Sequence, residues 1–163
     1  MQLKRRIAKI SRQSELDDES RCRKAAIDLL SRREHSRFEL KRKLLQKPYA
    51  QDVDLEAILD QLEEANYLSN ARYAESFVRS RILKGQGEIK IRAQLMQRGV
   101  TLSLADSAIA EAEVNWWDLA ERQRIKRFGE GYPDLLKDKL KQIRFLTMRG
   151  FPSHIVREIT QEY

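Results

Sequence analysis

The chain of 163 residues is 41% hydrophobic and 35% charged, with only three prolines and six glycines. This balance favours long, solvated helices over a sheet rich in turns, so we predict an all-α protein. The formal net charge of +7 gives the molecule a positive field that attracts polyanions, as in proteins that associate with nucleic acids.

The cysteine content and the start of the chain indicate the compartment. Cys22 is the only cysteine, which excludes an intramolecular disulfide and a metal cluster held by thiolates, and suits a reducing cytosol. Residues 1–10 separate their apolar side chains by charge, unlike the continuous apolar segment of a signal peptide. No later stretch approaches the length needed to span a membrane. We therefore expect a cytoplasmic protein with no membrane partner.

Comparison of the chain with itself reveals a repeat with an offset of 51 residues. Each copy has an apolar residue, a leucine six positions later, and then a basic residue, a helix-breaking or turn residue and another apolar residue. The copies are Phe38-x5-Leu44-x2-Lys47-Pro48-Tyr49, Ile89-x5-Leu95-x2-Arg98-Gly99-Val100 and Leu140-x5-Leu146-x2-Arg149-Gly150-Phe151. A fixed period of this length is typical of stacked repeats.

Each copy has the pattern of three helices, similar to a helix-turn-helix unit. We predict three tandem three-helix repeats, at residues 20–69, 70–114 and 115–163. A basic N-terminal extension, residues 1–19, precedes them and lies outside the repeat. The leading helix of the third repeat has a weaker apolar stripe than the other two, and a glycine-rich loop follows it.

Several helix ends can be predicted from local sequence. Ser36 begins a Ser-x-x-Glu capping box, so the middle helix of the first repeat starts there. Asn70 is a candidate N-cap for the leading helix of the second repeat. Gly99 and Gly150 are expected to end the middle helices of the second and third repeats in the left-handed conformation. Pro48 takes the place of this glycine in the first repeat, so that helix must end by a different geometry.

The motifs expected of an enzyme or a metalloprotein are missing from the sequence. His35 and His154 are the only histidines, and neither has a second ligand type at the spacing of a metal site. Gly85-Gln86-Gly87 is too short for a phosphate-binding loop and is better explained as a hinge between helices. Cys22 lies on an apolar stripe, which favours a core position over a nucleophile. We expect no catalytic residue, no metal and no cofactor.

Aromatic residues could be either core or binding residues. Tyr67 lies at the junction between the first two repeats, where it could stack on a base or contact a partner, although packing between helices is favoured. At least one ring of Trp116-Trp117 is expected to be buried between repeats. Four phenylalanines fall on or beside core positions of the repeat: Phe38, Phe77, Phe145 and Phe151.

Charge is divided unequally between the helices. The third helices of the first two repeats, within residues 50–66 and 101–114, contain acidic residues and no lysine or arginine. The first and middle helices are rich in both bases. Stacked repeats would extend this bias into a basic stripe, which can follow a phosphate backbone without reading bases. A solvated helix face is the alternative for any single basic residue.

Four segments of the chain resemble the signatures of RecX regulatory proteins, and the resemblance extends from about residue 24 to the C-terminus. They are Arg33-Glu34-His35-Ser36-x2-Glu39-Leu40-x3-Leu44, Asn66-Tyr67-Leu68-Ser69-Asn70-x-Arg72-Tyr73-Ala74, Lys84-Gly85-x-Gly87-x4-Arg92-x2-Leu95-x2-Arg98-Gly99-Val100 and Arg144-Phe145-Leu146-x2-Arg149-Gly150-Phe151.

This resemblance implies an elongated, curved array of repeats that binds in the groove of the RecA–DNA filament. Such a protein restrains filament extension and lowers the recombinase, ATPase and co-protease activities of RecA, so modulating DNA repair and the SOS response. The implied partners are the RecA filament and single- and double-stranded DNA, largely independent of sequence. We expect a monomer that is not an enzyme.

Combined with the charge pattern, the resemblance leads to a hypothesis for the interface. Basic faces of the second and third repeats approach the DNA, while other surfaces, including the acidic helices, contact neighbouring protein subunits. The candidates for DNA or filament binding are chosen by charge and repeat register. They are Arg79, Arg81, Lys84, Lys90, Arg92, Arg98, Arg124, Lys126, Arg127, Lys141 and Arg144.

Two other classes of protein fit parts of the pattern. A free-standing helix-turn-helix regulator would prefer one duplex sequence strongly, but no single recognition helix is evident. A helical adaptor without DNA contact would bind RecA without the steep salt dependence that phosphate contacts cause.

Overall fold

The computed structural model describes the backbone of residues 2–160 and the side chains of residues 14–160. Over these residues the chain forms α-helices and one short 3-10 helix, with no strand, which confirms the predicted all-α class. The helices are α1 (Gln2–Leu30), α2 (Arg37–Leu45), α3 (Leu55–Glu64), α4 (Asn70–Leu83), α5 (Glu88–Met96), α6 (Leu102–Glu111), α7 (Trp116–Phe128), α8 (Leu136–Arg149) and α9 (Ser153–Thr160).

The chain divides into two compact units, the first ending at Tyr73 and the second beginning at Ala74. The first contains α1 to α3 and the first turn of α4, and the second contains the remainder of α4 and α5 to α9. The predicted boundary after residue 19 lies inside α1, so the described part of the basic extension continues as a helix into the first repeat. The exact repeat bounds stay predictions.

The core of the first unit is formed by α1, α2 and α3. Burial raises the pKa of the Cys22 thiol, and the nearby Asp18 raises it further. Cys22 is therefore a core residue, as predicted, and its thiol is protonated rather than reactive. The buried residues around it include Ala26, Leu40, Leu44, Leu55, Ile58, Leu59, Leu62 and Leu68.

The second unit buries apolar residues along all of its helices. The residues of α4 to α6 that are buried include Ala74, Phe77, Val78, Ile91, Leu95, Ala105, Ala108 and Ile109. The core of α7 to α9, with the turn before α9, is formed by Leu119, Ala120, Leu146, Phe151, Ile155, Val156 and Ile159. The predicted core positions of Phe77 and Phe151 are confirmed, and Phe145 is half-buried against the latter cluster.

The two apolar positions of the repeat have opposite environments. The later position, occupied by leucine in every copy, is fully buried: Leu44, Leu95 and Leu146. The earlier position is exposed in every copy: Phe38, Ile89 and Leu140. The prediction that Phe38 belongs to the core is therefore wrong, because its ring is 49% exposed. The second position follows the first by six residues, which places the two on different sides of a helix with 3.6 residues per turn.

Most of the predicted helix ends are confirmed. The Ser36 side chain accepts a hydrogen bond from the backbone N–H of Glu39 at the start of α2. Gly99 and Gly150 have φ angles of +76° and +90°, in the left-handed region expected for a glycine that ends a helix. Pro48 instead begins the 3-10 helix Pro48–Ala50, which is the different geometry required after α2.

The N-cap of α4 lies one residue before the predicted position. Ser69, not Asn70, caps this helix, because the Ser69 hydroxyl accepts from the backbone N–H of Arg72 at 3.2 Å. The Asn70 side chain oxygen accepts instead from the backbone N–H of Arg37, at 2.9 Å. Asn70 thus satisfies a free amide at the start of α2 rather than one in its own helix.

The prediction that Trp116 or Trp117 has a buried ring is wrong. Trp116 is half-buried at the edge of the core of α7 to α9. Trp117 is exposed, with its ring centroid 5.3 Å from that of His154 and its indole N–H donating to Glu158. The His154 ring at the start of α9 therefore has a structural contact, a tilted packing against Trp117.

The start of α5 is joined to the end of α8 through backbone atoms. The N–H of Gly87 donates to the carbonyl of Arg149 at 2.8 Å, and the N–H of Ile89 donates to the carbonyl of Gly150 at 3.0 Å. The guanidinium of Arg149 donates to the carbonyls of Lys84 and Gly85, which directly follow α4. The predicted hinge at residues 85–87 is therefore a packed joint between helices.

Candidate nucleic-acid interface

One side of α8 presents three basic side chains. Lys137, Lys141 and Arg144 are spaced by four and three residues, which places them on the same side of a helix. All three are exposed. Among the described residues Lys137 and Arg144 have no ion-pair partner, whereas Lys141 pairs with Asp138 at 2.7 Å. The hydrogen bond from Lys141 lowers the pKa of the Asp138 carboxyl. We call these three residues the cationic face.

A basic residue of α5 lies beside the cationic face, and the last turn of α7 approaches α8. Lys90 donates from its Nζ to the carbonyl of Met148, one turn beyond Arg144 on α8. Phe128, at the end of α7, lines the same pocket as Lys141, so the last turn of α7 approaches α8. Lys126 and Arg127, in that last turn, are exposed and have no ion pair within the described part of the chain. The structure thus brings together Lys90, Lys141 and Arg144 of the predicted candidates and adds Lys137, which was not among them.

Arg124 leaves the candidate set because it is only 1% exposed. It pairs with Glu121 at 2.7 Å and donates to the carbonyls of Gly129, Glu130 and Gly131. The hydrogen bond to Glu121 raises its pKa, while burial acts in the opposite direction. Arg124 was predicted to contact DNA, but its side chain instead holds the loop after α7 in place.

Arg92 is also occupied by internal ion pairs. Its guanidinium contacts Asp106 of α6 at 2.6 Å and Glu88 of its own helix at 3.6 Å. Two carboxylates compensate its charge, so its contribution to a cationic surface is small. Lys84, a further candidate that directly follows α4, is exposed and has no ion pair among the described residues.

Arg81 and Arg98 place their guanidinium groups over the ring of Phe77. The Cζ atoms of Arg81 and Arg98 lie 4.4 and 4.9 Å from the ring centroid, a distance at which cations and aromatic rings attract each other. Arg79 is more exposed, and its one ion pair among the described residues, with Glu75, is long at 3.8 Å. Arg79 is therefore the more available of these cations for a phosphate.

The acidic helix of the first repeat neutralises the basic middle helix packed against it. Arg37 of α2 pairs with Glu56, and with Asp60 and Glu63 at 2.7 Å each, while Lys41 also pairs with Glu56. Burial lowers the pKa of Arg37, but its hydrogen bonds to the three carboxylates outweigh burial and raise the pKa overall. These three carboxylates therefore pair within the first unit although they remain partly exposed, and a contact of the acidic helices with neighbouring protein subunits stays a prediction.

The sequence signal for this network is the spacing of the acids. Positions 56, 60 and 63 recur every three or four residues, so they share one side of α3. What the sequence alone could not show is which helix that side contacts. In the second repeat the same relationship recurs in smaller form, as the pair between Arg92 and Asp106.

Tyr67 does not pack between helices, contrary to the favoured interpretation of the sequence, because its side chain is 58% exposed. Its backbone carbonyl accepts from Arg72, whose guanidinium also binds Glu34 and Asn66. The junction between α3 and α4 is therefore held by Arg72, and a contact of the Tyr67 ring with a partner stays a proposal.

His35 has a structural environment rather than a catalytic one. The ring is buried, its Nδ1 donates to the carbonyl of Arg33 at 3.0 Å, and its Nε2 accepts from Lys43 at 3.1 Å. Burial lowers its pKa, and the neighbouring Arg33 lowers it further. Among the described residues no group of three His, Cys, Asp or Glu side chains is placed to hold a metal. No described helix is long and apolar enough to cross a membrane.

Comparison with known sequences decides the family. The chain matches the first three-helix domain of RecX over residues 22–60, the second over residues 69–109 and the third over residues 113–160. It is 43% identical over 141 residues to the regulatory protein RecX of Pseudomonas putida strain F1, covering 86% of this chain and 90% of the relative. The chain belongs to the RecX family. The family of regulatory proteins that the sequence motifs resembled is thereby confirmed.

Further relatives agree with this assignment. RecX of Halorhodospira halophila is 42% identical over 135 residues, covering 83% of each protein. Among solved structures, RecX from Lactobacillus salivarius shares the fold with a TM-score of 0.73 at 23% identity, covering 88% of this chain and 95% of that one. A second RecX crystal structure aligns with a TM-score of 0.77 at 25% identity, covering 98% of this chain and 78% of that one. The prediction of three three-helix repeats is confirmed.

Proposed function

We propose that this protein is a negative regulator of RecA that binds in the groove of the RecA–DNA filament. Binding there would hinder the addition of RecA subunits and lower recombinase, ATPase and co-protease activities, and so modulate DNA repair and the SOS response. Membership of a family of regulatory proteins supports the regulatory role. The observation that supports DNA contact is the cationic face of Lys137, Lys141 and Arg144, with Lys90 beside it.

The chemistry of these side chains suits a phosphate backbone. Lysine and arginine side chains that replace the counterions of DNA gain binding free energy from the released ions, without contacting base edges. The regulator would therefore bind single- and double-stranded DNA with little sequence preference. The proposal involves no chemical reaction, cofactor or metal, and it places a monomer in the cytoplasm, where Cys22 stays reduced.

The first test measures DNA-dependent ATP hydrolysis by cognate RecA on single-stranded DNA. Substoichiometric amounts of the wild-type protein should slow hydrolysis. In a variant with Lys137→Glu, Lys141→Glu and Arg144→Glu, the concentration needed for the same inhibition should rise about tenfold or more. DNA binding by this variant should also depend less steeply on salt, by about one unit of slope for each phosphate that it no longer neutralises.

A control variant changes the net charge equally at exposed basic residues outside the cationic face. Lys24, Lys47 and Arg157 serve this purpose, because each is exposed and none has an ion pair within the described residues. The control, with all three changed to glutamate, should inhibit like the wild type. Equal inhibition by both charge-reversed variants and the wild type would contradict the role of the cationic face. Tight DNA binding without any effect on RecA would favour a free-standing nucleic-acid-binding module.

A further inference from the structure

A pocket lies between the end of α7, the loop that follows it and the start of α8. It has a volume of about 460 Å³, and its lining includes Phe128, Tyr132, Pro133, Lys141 and Gln142. This volume is within the range of pockets that bind small molecules. The lining combines aromatic rings, one amide, the carboxylate of Asp138 and the cation of Lys141, which pairs with Asp138 at 2.7 Å and belongs also to the cationic face.

The aromatic rings of this pocket are fixed in place. The Arg124 guanidinium lies 4.4 Å from the centroid of the Tyr132 ring, and the contacts of Arg124 with Glu121 and the loop carbonyls hold it there. The Tyr132 side chain is still 44% exposed, so part of its ring is available. Phe128 packs edge-on against Phe145, with centroids 5.4 Å apart. Rings that are held before a ligand arrives lose little conformational freedom on binding.

Gln142 supplies an unused hydrogen-bonding group. The residue is 4% exposed and lines the pocket, yet its Oε1 has no hydrogen-bond partner among the described residues. A buried amide oxygen without a partner is unfavourable, so a ligand that offers an N–H group would relieve this cost. A nucleobase offers such a group at the edge of a flat ring, and its backbone phosphate is a partner for Lys141.

We propose that this pocket binds one unstacked nucleobase of single-stranded DNA. The base stacks on the open side of Tyr132 next to Phe128, Gln142 accepts a hydrogen bond from the edge of the base, and Lys141 exchanges its ion pair with Asp138 for one with the adjoining phosphate. An apolar or aromatic peptide side chain would use the rings but neither Gln142 nor Lys141. This inference rests on the proposed function, to which it adds a stacking contact that phosphate binding alone does not require.

The test compares a fluorescent oligo(dT) with a fully abasic strand of the same length, about 15 nucleotides. Tyr132→Ala should weaken binding of oligo(dT) about tenfold, because aromatic stacking contributes to single-strand binding, and should leave the salt slope unchanged. Binding of the abasic strand should be unaffected. Tyr132→Phe keeps the ring and should bind oligo(dT) like the wild type. Phe38→Ala is the matched control, since the Phe38 ring is similarly accessible, 49% exposed, but lies outside the pocket.

A second variant distinguishes a loss of base binding from a local structural change caused by removing the Tyr132 ring. Gln142→Leu keeps the aromatic residues and Arg124, and should weaken oligo(dT) binding about threefold or more without changing the abasic strand. If both variants lost the same affinity for both strands, or none for oligo(dT), the pocket would not bind a base. Competition by free thymidine monophosphate at micromolar concentration would overturn the proposal in favour of a mononucleotide site.

These outcomes separate the pocket from the proposed function. If wild type inhibits RecA through the cationic face while Tyr132→Ala and Gln142→Leu bind oligo(dT) normally, only the pocket inference fails. If the charge-reversed variant retains both inhibition and its salt slope, the proposed function fails. In that case, selective loss of oligo(dT) binding in the pocket variants would still identify a base site.

Discussion

The backbone N–H of Gly87 donates a hydrogen bond of 2.8 Å to the carbonyl oxygen of Arg149. An amide at the start of α5 is therefore the partner of a carbonyl at the end of α8. The first amides of a helix and its last carbonyls have no partner in their own helix, and here they serve each other. The opposite partial charges of the two helix ends also attract. Glycines at 87 and 150 allow the close approach, and so these glycines of the sequence motifs have a structural role.

A side chain at position 87 would break this joint. A Cβ atom on Gly87 would lie 2.4 Å from the carbonyl carbon of Gly150, which is backbone and cannot move aside alone. We expect Gly87→Ala to lower the free energy of unfolding by about 2–3 kcal/mol, and the melting temperature by about 4–10 °C. Thermal unfolding followed by circular dichroism measures this effect.

The matched control for this substitution is Gly131→Ala. A Cβ atom at Gly131 would have no atom within 4 Å, so this variant should melt at the wild-type temperature or up to about 4 °C above it, because alanine restricts the unfolded chain. If Gly87→Ala melted together with the control, the joint between α5 and α8 would not contribute to stability as described.

Arg124 should matter for folding rather than for DNA binding. Removing its side chain leaves the carbonyls of the loop after α7 without their donor and Glu121 without its cation. We expect Arg124→Ala to lower the free energy of unfolding by about 2–3 kcal/mol, measured by urea denaturation. Lys126→Ala, two residues later and exposed, should unfold like the wild type and should reduce the salt slope of DNA binding. If Arg124→Ala instead left the free energy of unfolding unchanged and reduced the salt slope of DNA binding, Arg124 would belong to the DNA interface.

Features that depend on local sequence could be predicted. The Ser36 cap and the left-handed glycines at 99 and 150 follow from interactions between residues a few positions apart. The repeat was detectable because buried leucines recur with a constant offset, which periodic packing requires. The all-helical class and the family resemblance rested on the same repeated signals, and both are confirmed.

Features that depend on which helices face each other could not be predicted. Charge and register suggested a solvent-facing Arg124, but its burial depends on the loop that folds over it. Phe38 occupies an apolar repeat position and is nevertheless exposed, because its side of α2 is not covered in the first unit. The acids of α3 have no cation near them in the sequence, but the fold places Arg37 beside them. The same limit applies to the base pocket, whose Tyr132 belongs to a loop outside the repeat register.

Acid should destabilise the protein through His35. Its Nδ1–H donates to a carbonyl and its Nε2 accepts from Lys43, so the buried ring is neutral. Because its pKa is lowered below the ordinary value of 6.5, the unfolded chain binds a proton more readily than the folded protein. The contribution of neutral His35 to the free energy of unfolding is therefore fully present above about pH 6.5 and decreases as the pH falls below that value. Urea unfolding between about pH 7.5 and pH 5.5 measures this decrease.

The variant His35→Gln should lose much of this pH dependence, although its stability at neutral pH will also fall. His154→Gln is the comparison, because it removes the other histidine, which is exposed, and leaves His35 in place. We expect His154→Gln to keep the decrease seen in the wild type. A decrease that disappears with His154 and persists without His35 would show that the buried ring is not the titrating group.

Arg37 should stabilise the first unit in a way that depends on salt. Its guanidinium contacts carboxylates at three positions of α3, so Arg37→Ala leaves a row of acids without their common cation. We expect a loss of about 1 kcal/mol in the free energy of unfolding at low ionic strength, since each partly exposed pair contributes little alone. At about 1 M NaCl the difference from wild type should shrink, because the charges are screened.

Arg79→Ala is the control, since its one ion pair within the described residues is long and exposed, and it should change stability little at either salt concentration. A loss for Arg37→Ala that is equally large in high salt would mean that its aliphatic packing, rather than its charge, holds α2 against α3.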